Sequence, residues 1–303
     1  MTIDKHSLNA TMETLLEKLG EMVRHVDVLM EEAVGGVHGV IPTEMLIPIL
    51  LHRKVLEKAD AIFVNIENGT EHVSKGIMRT MFENLVYLAY MLKGNTCKKA
   101  EAYYYGSLKS RLSVMQVLEP NSPKAKVVSD FLGTGLNQEL PDTTIISEIK
   151  KMKEKLDASW LKDTRKAWLR FEKKSGKYVN WYALFGHDSF RKVAIDVNMQ
   201  AEYEILYSTY SHETHTINAM EMIEHRQGES FFKPLRSYTD PGTLISMATT
   251  FLWTATELVL KSFFSEEQIK FNEYCLENHI TTPSILAEIK KIKKANIGPR
   301  AKK

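Results

Sequence analysis

The sequence predicts an all-α protein, a multi-helix bundle built on a long antiparallel helical hairpin at about residues 43–68 and 70–93. Three observations carry this expectation. Apolar residues recur at three- and four-residue steps along most of the chain, no stretch shows sustained period-two alternation with hairpin turns, and no internal repeat is detectable that would make a solenoid. Composition agrees with a folded core: of 303 residues 44% are hydrophobic and 26% charged, while 15 Gly and 9 Pro are too few for a collagenous or low-complexity chain. The net charge of +2, from 40 Lys+Arg against 38 Asp+Glu, excludes a polybasic nucleic-acid coat or an acidic tail as the whole molecule.

Leu8, Met12, Leu15, Leu16, Leu19, Met22, Val23, Val26, Leu29 and Met30 line one face, so the first thirty residues read as an amphipathic helix ended by Gly35-Gly36. Thr43 is the expected N-cap of a second helix through Leu46, Ile49, Leu50, Leu56, Ala59, Ile62, Phe63 and Ile66, stopped by Asn68-Gly69. Thr70 with Glu71 opens a third, ending near Gly94. So short a break between helices of about 24 residues, each roughly 36 Å long, forces the antiparallel hairpin. Further helices are expected at about 97–119, 123–132, 143–156 and 158–174, followed by an aromatic loop over 176–186. Ser189 caps a short helix, and a long one is expected from about 200 to 226. Asp240-Pro241-Gly242-Thr243 starts a Thr-rich core helix, Ser265-Glu266-Glu267-Gln268 is a capping-box pattern, and Thr282-Pro283 starts the last helix. These elements divide the chain into an N-terminal amphipathic helix (1–40), a helical core domain (41–228) and C-terminal helices with a basic tail (229–303).

Cys97 and Cys275 lie far apart without a CxxC or Cys/His ligand spacing, so neither a disulfide framework nor a zinc ribbon is expected, and reduced cytoplasm is the simplest location. The N-terminus has an early acid and no apolar h-region, unlike an ordinary secretory signal. Residues 243–264 are mostly apolar but carry Glu257 and Lys261, which favours a buried core helix over a membrane span. Residues 288–303 hold seven basic residues against the single acid Glu288. Such a tail can hold nucleic acid or anionic lipid, although a solvated helix end is commoner.

Chemistry concentrates on two helices. From 77 to 92 nearly every residue is apolar except Arg79, Thr80, Glu83, Asn84, Tyr87 and Tyr90, with Arg79 and Glu83 neighbours at i, i+4. A helix apolar all round belongs inside the bundle, where charges are costly unless paired or serving a ligand. Arg79 and Glu83 are therefore either a structural ion pair or an arginine held to grip an anion. On the 200–226 helix, Glu204, Ser208, Ser211, His212, His215 and Asn218 repeat at steps of three and four, flanked by Tyr203, Tyr207 and Tyr210. His212 and His215 could be acid and base, metal ligands or core histidines. A metal would need Glu83 or Asp60 as a further ligand, and there is no HExxH or inward Glu-x-x-His pair, so no metal or cofactor is expected. Arg53, Glu57 and Asp60 face one way at i, i+4 and i+7, joining that network or forming a solvated stripe. His187-Asp188 lacks the additional ligands of a metal phosphohydrolase, and no P-loop, GxGxxG or GxSxG occurs.

The runs His52-Arg53-Lys54-Val55-Leu56-Glu57-Lys58-Ala59-Asp60, Met78-Arg79-Thr80-Met81-Phe82-Glu83, Asn180-Trp181-Tyr182 and Tyr207-Ser208-Thr209-Tyr210-Ser211-His212 resemble a family. It is the bacterial all-helical domain-of-unknown-function family 5677, and the resemblance spans about residues 45–225. The resemblance implies that Arg79, Glu83, Ser211 and His212 belong to one site, and that the setting is mobile elements or phage defence. Helical HEPN ribonucleases are a natural comparison, since their Arg and His cleave RNA without metal, often in a dimer interface. Their Arg and His lie four to six residues apart on one helix, a spacing absent here, so Arg79 and His212 would have to meet across helices. The expectation is a cytoplasmic helical effector, a metal-independent ribonuclease-like protein acting in phage defence or toxicity. Its partners would be RNA or another anionic ligand and a second copy of itself rather than a membrane. Catalysis would rest on Arg79, Glu83, His212 and His215, with Arg53, Asp60, Tyr207, Ser208 and Ser211 binding. The alternative is a non-catalytic scaffold or ligand-binding protein in which the same polar set is a structural network.

Overall fold

The computed structural model describes residues 8–119, 122–132, 142–175, 179–207, 210, 219–226 and 228–280. Among these residues the fold is all-α with one small hairpin. Its helices are α1 (Ala10–Gly35), α2 (Thr43–Glu67), α3 (Glu71–Leu92), α4 (Thr96–Val117), α5 (Pro123–Leu132), α6 (Asp142–Leu156), α7 (Lys162–Ser175), α8 (Phe190–Asp196), α9 (Gln200–Glu202), α10 (Pro241–Phe263) and α11 (Ser265–Glu277). Short 3-10 turns occupy Ser159–Leu161, Trp181–Phe185 and Ala219–Met222, and a π-helical turn, Tyr203–Tyr207, continues α9.

By packing, the chain divides into two compact units, one made of Met1–Ile41, Ile49–Ala89 and Gln200–Lys303, the other of Pro42–Pro48 and Tyr90–Met199. In the first unit α10 is the central post. Leu244, Ile245, Ala248, Leu252, Ala255, Val259 and Leu260 are buried along it. Its hydroxyls are satisfied inside the helix, Thr249, Thr250, Thr254 and Thr256 each donating to the carbonyl four residues earlier. That is how Thr256 sits in the core, whereas Thr250 faces solvent. By length and composition α10 could also cross a membrane, and 56% of its apolar window is buried within the protein.

Each neighbour of α10 makes a specific contact. Phe82 of α3 meets Phe251, with ring centroids 5.7 Å apart. His52 of α2 is fully enclosed, its Nε2 3.0 Å from Thr256 Oγ1. Because the Thr256 hydroxyl proton is used on Leu252 O, His52 Nε2 is the donor and the ring is neutral. Burial, and then the charge of Arg53, pushes its pKa down to about 4. The long helix α1 packs against α10 and α11, His25 stacking on Tyr274 at 3.7 Å. Gly20 lets α1 approach α2, since a Cβ there would lie 2.8 Å from the Phe63 ring.

The turn between α2 and α3 is held by the segment leading into α10. Gly69 adopts φ +74°, a conformation that costs glycine nothing. Its carbonyl accepts the Ser237 N–H at 2.9 Å, and the Tyr238 hydroxyl donates to Ile66 O at 3.0 Å. Glu71, 2% exposed, accepts the backbone N–H groups of Thr239 and Asp240 at 2.6 and 2.8 Å, one on each carboxylate oxygen. A carboxylate in the first turn of α3 also suits that helix's dipole. Asp240 in turn caps α10 through Thr243 N.

The second unit is organised around α4, which packs against α6, α7 and the Trp181–Phe185 turn. Gly106 lies flat beneath Trp168, and Tyr90, Tyr103 and Trp181 form an aromatic cluster with centroids 5.6 Å apart. Lys99, mostly buried, donates to the carbonyls of Tyr90 and Lys93, stopping α3. Its ammonium sits 3.7 Å over the Tyr90 ring, and burial lowers its pKa.

The structure corrects three local expectations. Residues 200–226 are not one helix: Ile223–Arg226 (β1) pairs antiparallel with Glu229–Phe232 (β2) around Gly228, whose φ is +85°. Four residues per strand are too few for alternation to register as a pattern. The aromatic stretch is not a plain loop, because Trp181 and Tyr182 are buried in a 3-10 turn. Ser265 does not cap α11; Phe264 occupies the N-cap position and Ser265 is the first helical residue. The helix expected from Thr282 and the basic tail lie outside the described residues.

Two predictions follow from these buried groups. Replacing Glu71 by Gln sets an amide NH2 against a backbone N–H, so stability should fall by about 1.5–3 kcal/mol, measured by urea unfolding at pH 7. For His52, whose folded pKa lies below the unfolded 6.5, the stabilising contribution is complete above pH 6.5 and is lost as pH falls towards 4. The stability of wild type relative to His52→Gln should therefore drop by on the order of 3 kcal/mol across that window, and a flat difference would contradict the buried neutral ring.

Candidate functional site

Among the described residues of the first unit, α3 carries a partly open polar cluster in its otherwise apolar surroundings. Arg79 projects to the π-helical turn, where Nη2 donates to the Tyr207 hydroxyl at 2.8 Å. The same Nη2 lies 3.5 Å from Glu83 Oε1. Tyr207 also hydrogen-bonds to Glu83, so its hydroxyl accepts from the guanidinium and donates to the carboxylate, linking both charges. The Arg79 Cζ is 4.4 Å from the Tyr207 ring centroid, and Tyr203 stacks on Tyr207 with centroids 4.9 Å apart. Side-chain exposure is 15% for Arg79 and 28% for Glu83, so the pair reaches solvent from a mostly apolar wall.

Burial raises the pKa of Glu83 above the ordinary carboxylate value, outweighing the opposing pull of Arg79 and of the Tyr207 hydrogen bond. Such a carboxylate is a better proton acceptor near neutrality than an exposed one. Burial also raises the Tyr210 pKa, reinforced by Asp240 and Glu71.

The structure thus brings together Arg79, Glu83 and Tyr207 from the expected set. Arg53 is elsewhere, in an exposed ion pair with Asp27 of α1, and Asp60 is exposed on α2. Glu57 pairs with Lys54. Ser208, Ser211, His212 and His215 lie outside the described residues. The expected shared face from Glu204 onward assumed α-helical spacing; a π turn over Tyr203–Tyr207 winds in an extra residue, so that spacing does not carry across it. Tyr203, stacked behind Tyr207, belongs to the cluster's wall, and its i, i+4 spacing to Tyr207 was the only signal for it in the sequence.

The same 200–207 turn forms one side of an apolar groove of about 340 Å³, lined by Ala201, Ile205 and Leu206 and, from α10, by Met247, Thr250 and Phe251. In the second unit the His187-Asp188 pair divides: His187 Nε2 is 3.3 Å from Asp196, whereas Asp188 pairs with Lys192. Among the described residues no three His, Cys, Asp or Glu side chains gather as a metal site.

At fixed pH 7 the Glu83→Gln variant should unfold within about 1 kcal/mol of wild type, because the lost ion pair is offset by relief of the carboxylate's desolvation. Since the folded pKa of Glu83 is raised, wild type gains stability relative to Glu83→Gln as pH falls through that pKa towards 4.5, and loses it on the return. Urea melts at pH 7 and pH 4.5 measure this; the opposite sign would mean that Arg79, not burial, sets the carboxylate.

Among known proteins, a family model described as "Family of unknown function (DUF5677)" matches residues 45–230, more than half of the chain. No curated protein and no solved structure matches.

Proposed function

The chain belongs to this family of unknown function, whose matched segment holds the whole Arg79 cluster, and from that premise we propose a bacterial cytoplasmic helical effector that binds RNA or another anion at Arg79. Its action would be metal-independent RNA cleavage in phage defence or toxicity. The observation that supports this reading is an arginine on an apolar helix, oriented by Glu83 and Tyr207 and still reaching solvent. A guanidinium fixed in this way loses little freedom on gripping a phosphate. In the reaction His212 takes the proton of a ribose 2′-hydroxyl, and the 2′-oxygen attacks phosphorus. Arg79 stabilises the charge on the phosphorane, and the 5′-oxygen leaves with a proton given by His215, producing a 2′,3′-cyclic phosphate. Glu83 orients Arg79.

A second reading is favoured by the apolar groove beside the cluster: a ligand-binding protein in which Arg79, Glu83 and Tyr207 are a structural network. Cleavage of RNA by wild type, Arg79→Ala and His212→Ala, with and without EDTA and alongside thermal melts, separates the two. The nuclease reading expects at least about 10²-fold loss in each variant, an unchanged melting temperature for His212→Ala and no effect of EDTA. An inactive wild type together with a destabilised His212→Ala leaves the binding protein.

A further inference from the structure

We propose that β2 is the contact by which two copies of this chain form a dimer, pairing edge to edge into a four-stranded sheet about a two-fold axis through Phe231. The argument starts from the hydrogen-bond pattern of the hairpin. The Lys233 N–H donates to Met222 O at 2.8 Å, continuing the register in which Glu224 faces Phe231 and Arg226 faces Glu229. Antiparallel pairs alternate between hydrogen-bonded and non-hydrogen-bonded, so the N–H and C=O groups of Ser230 and Phe232 point away from β1. Among the described residues the sheet ends there: it has two strands, and the other bridge joins Thr70 to Ser237. All four residues of β2 are exposed, Phe232 by 86%. An open edge of this kind, with no charge or proline inside its outward-facing pair, is a template for a further strand.

The occupant follows from self-complementarity. A second β2 laid antiparallel about Phe231 sets Ser230 against the second copy's Phe232, and Phe232 against its Ser230. These are the residues whose backbone groups face outward, so each pair exchanges both hydrogen bonds. Phe231 then meets its own equivalent in the closer, non-hydrogen-bonded position, an aromatic cross-strand pair. Glu229 falls opposite the second copy's Lys233, and Lys233 opposite its Glu229, so both flanks carry opposite charges. A register shifted by one residue would oppose outward-facing groups to inward-facing ones, and a shift by two breaks the charge pairing. The segment Glu229-Ser230-Phe231-Phe232-Lys233 is therefore matched to itself, as an isologous interface requires.

Light scattering of the full chain tests this. Wild type should show about twice the 34.7 kDa chain mass, and Glu229→Lys and Phe231→Lys should each return to the single-chain mass with unchanged helical circular dichroism. The double exchange Glu229→Lys with Lys233→Glu restores the opposed charges and should restore the doubled mass. A wild type of single-chain mass at the highest soluble concentration would overturn the proposal. So would a doubled mass that survives both single variants, or a double exchange that stays monomeric.

Discussion

The geometry of the first unit depends on one buried carboxylate. Glu71 opens α3 and, with an oxygen on each of the Thr239 and Asp240 amides, fixes where α10 begins. Both amides precede the first turn of α10, a place where helices leave donors without partners. A side-chain acceptor buried this deeply is stable because both of its oxygens are used. From that anchor α10 runs against α3 through Phe251 and Phe82, and against α2 through Thr256 and His52. Arg79 lies eight residues along α3 from Glu71, about 12 Å up the axis at 1.5 Å per residue, where it meets the turn carrying Tyr207. The position of the candidate site is thus set by a contact that takes no part in it.

Polar groups inside these apolar helices are handled in three ways. Thr side chains on α10 return their protons to their own helix. His52 gives up its charge. Arg79 is held by a carboxylate and a phenol, and burial raises the Glu83 pKa in spite of the lowering that Arg79 and Tyr207 exert, unlike the lowered one typical of an exposed salt bridge. The third arrangement holds a charge at the edge of solvent, and that separates it from ordinary core satisfaction.

Much of the framework was legible in the sequence. Asn68-Gly69 marked the turn between α2 and α3 to within a residue or two, and Asp240-Pro241 marked the start of α10, because caps and glycine turns are local chemistry. The i, i+4 pairing of Arg79 with Glu83 was local too, and it is present. What escaped was decided at a distance or by a break in periodicity. Glu71 looked like a first-turn acid, whereas its amides come from residues 168 and 169 positions away. Tyr207 was expected at the same site as Arg79, but its direct hydrogen bond to the guanidinium spans 128 positions and has no local signal. The π turn and β1 fall within the 200–226 segment expected to be one helix, and each changes the period over too few residues to be seen.

The interleaving of the two units bears on how the chain is made. The second unit is, apart from Pro42–Pro48, a single stretch that ends at Met199, and it interrupts the first, whose closing segment starts only at Gln200. On the ribosome, α1 with its apolar face of Leu19, Met22 and Val26 emerges while α10, against which it packs, is more than 200 residues from being synthesised. At about 5–20 residues per second that interval is roughly 10–40 s. The middle of the chain can close around α4 in the meantime, since its contacts are nearer in sequence. For those seconds the nascent N-terminal helix is an apolar ligand without its receptor, a natural client for holding chaperones.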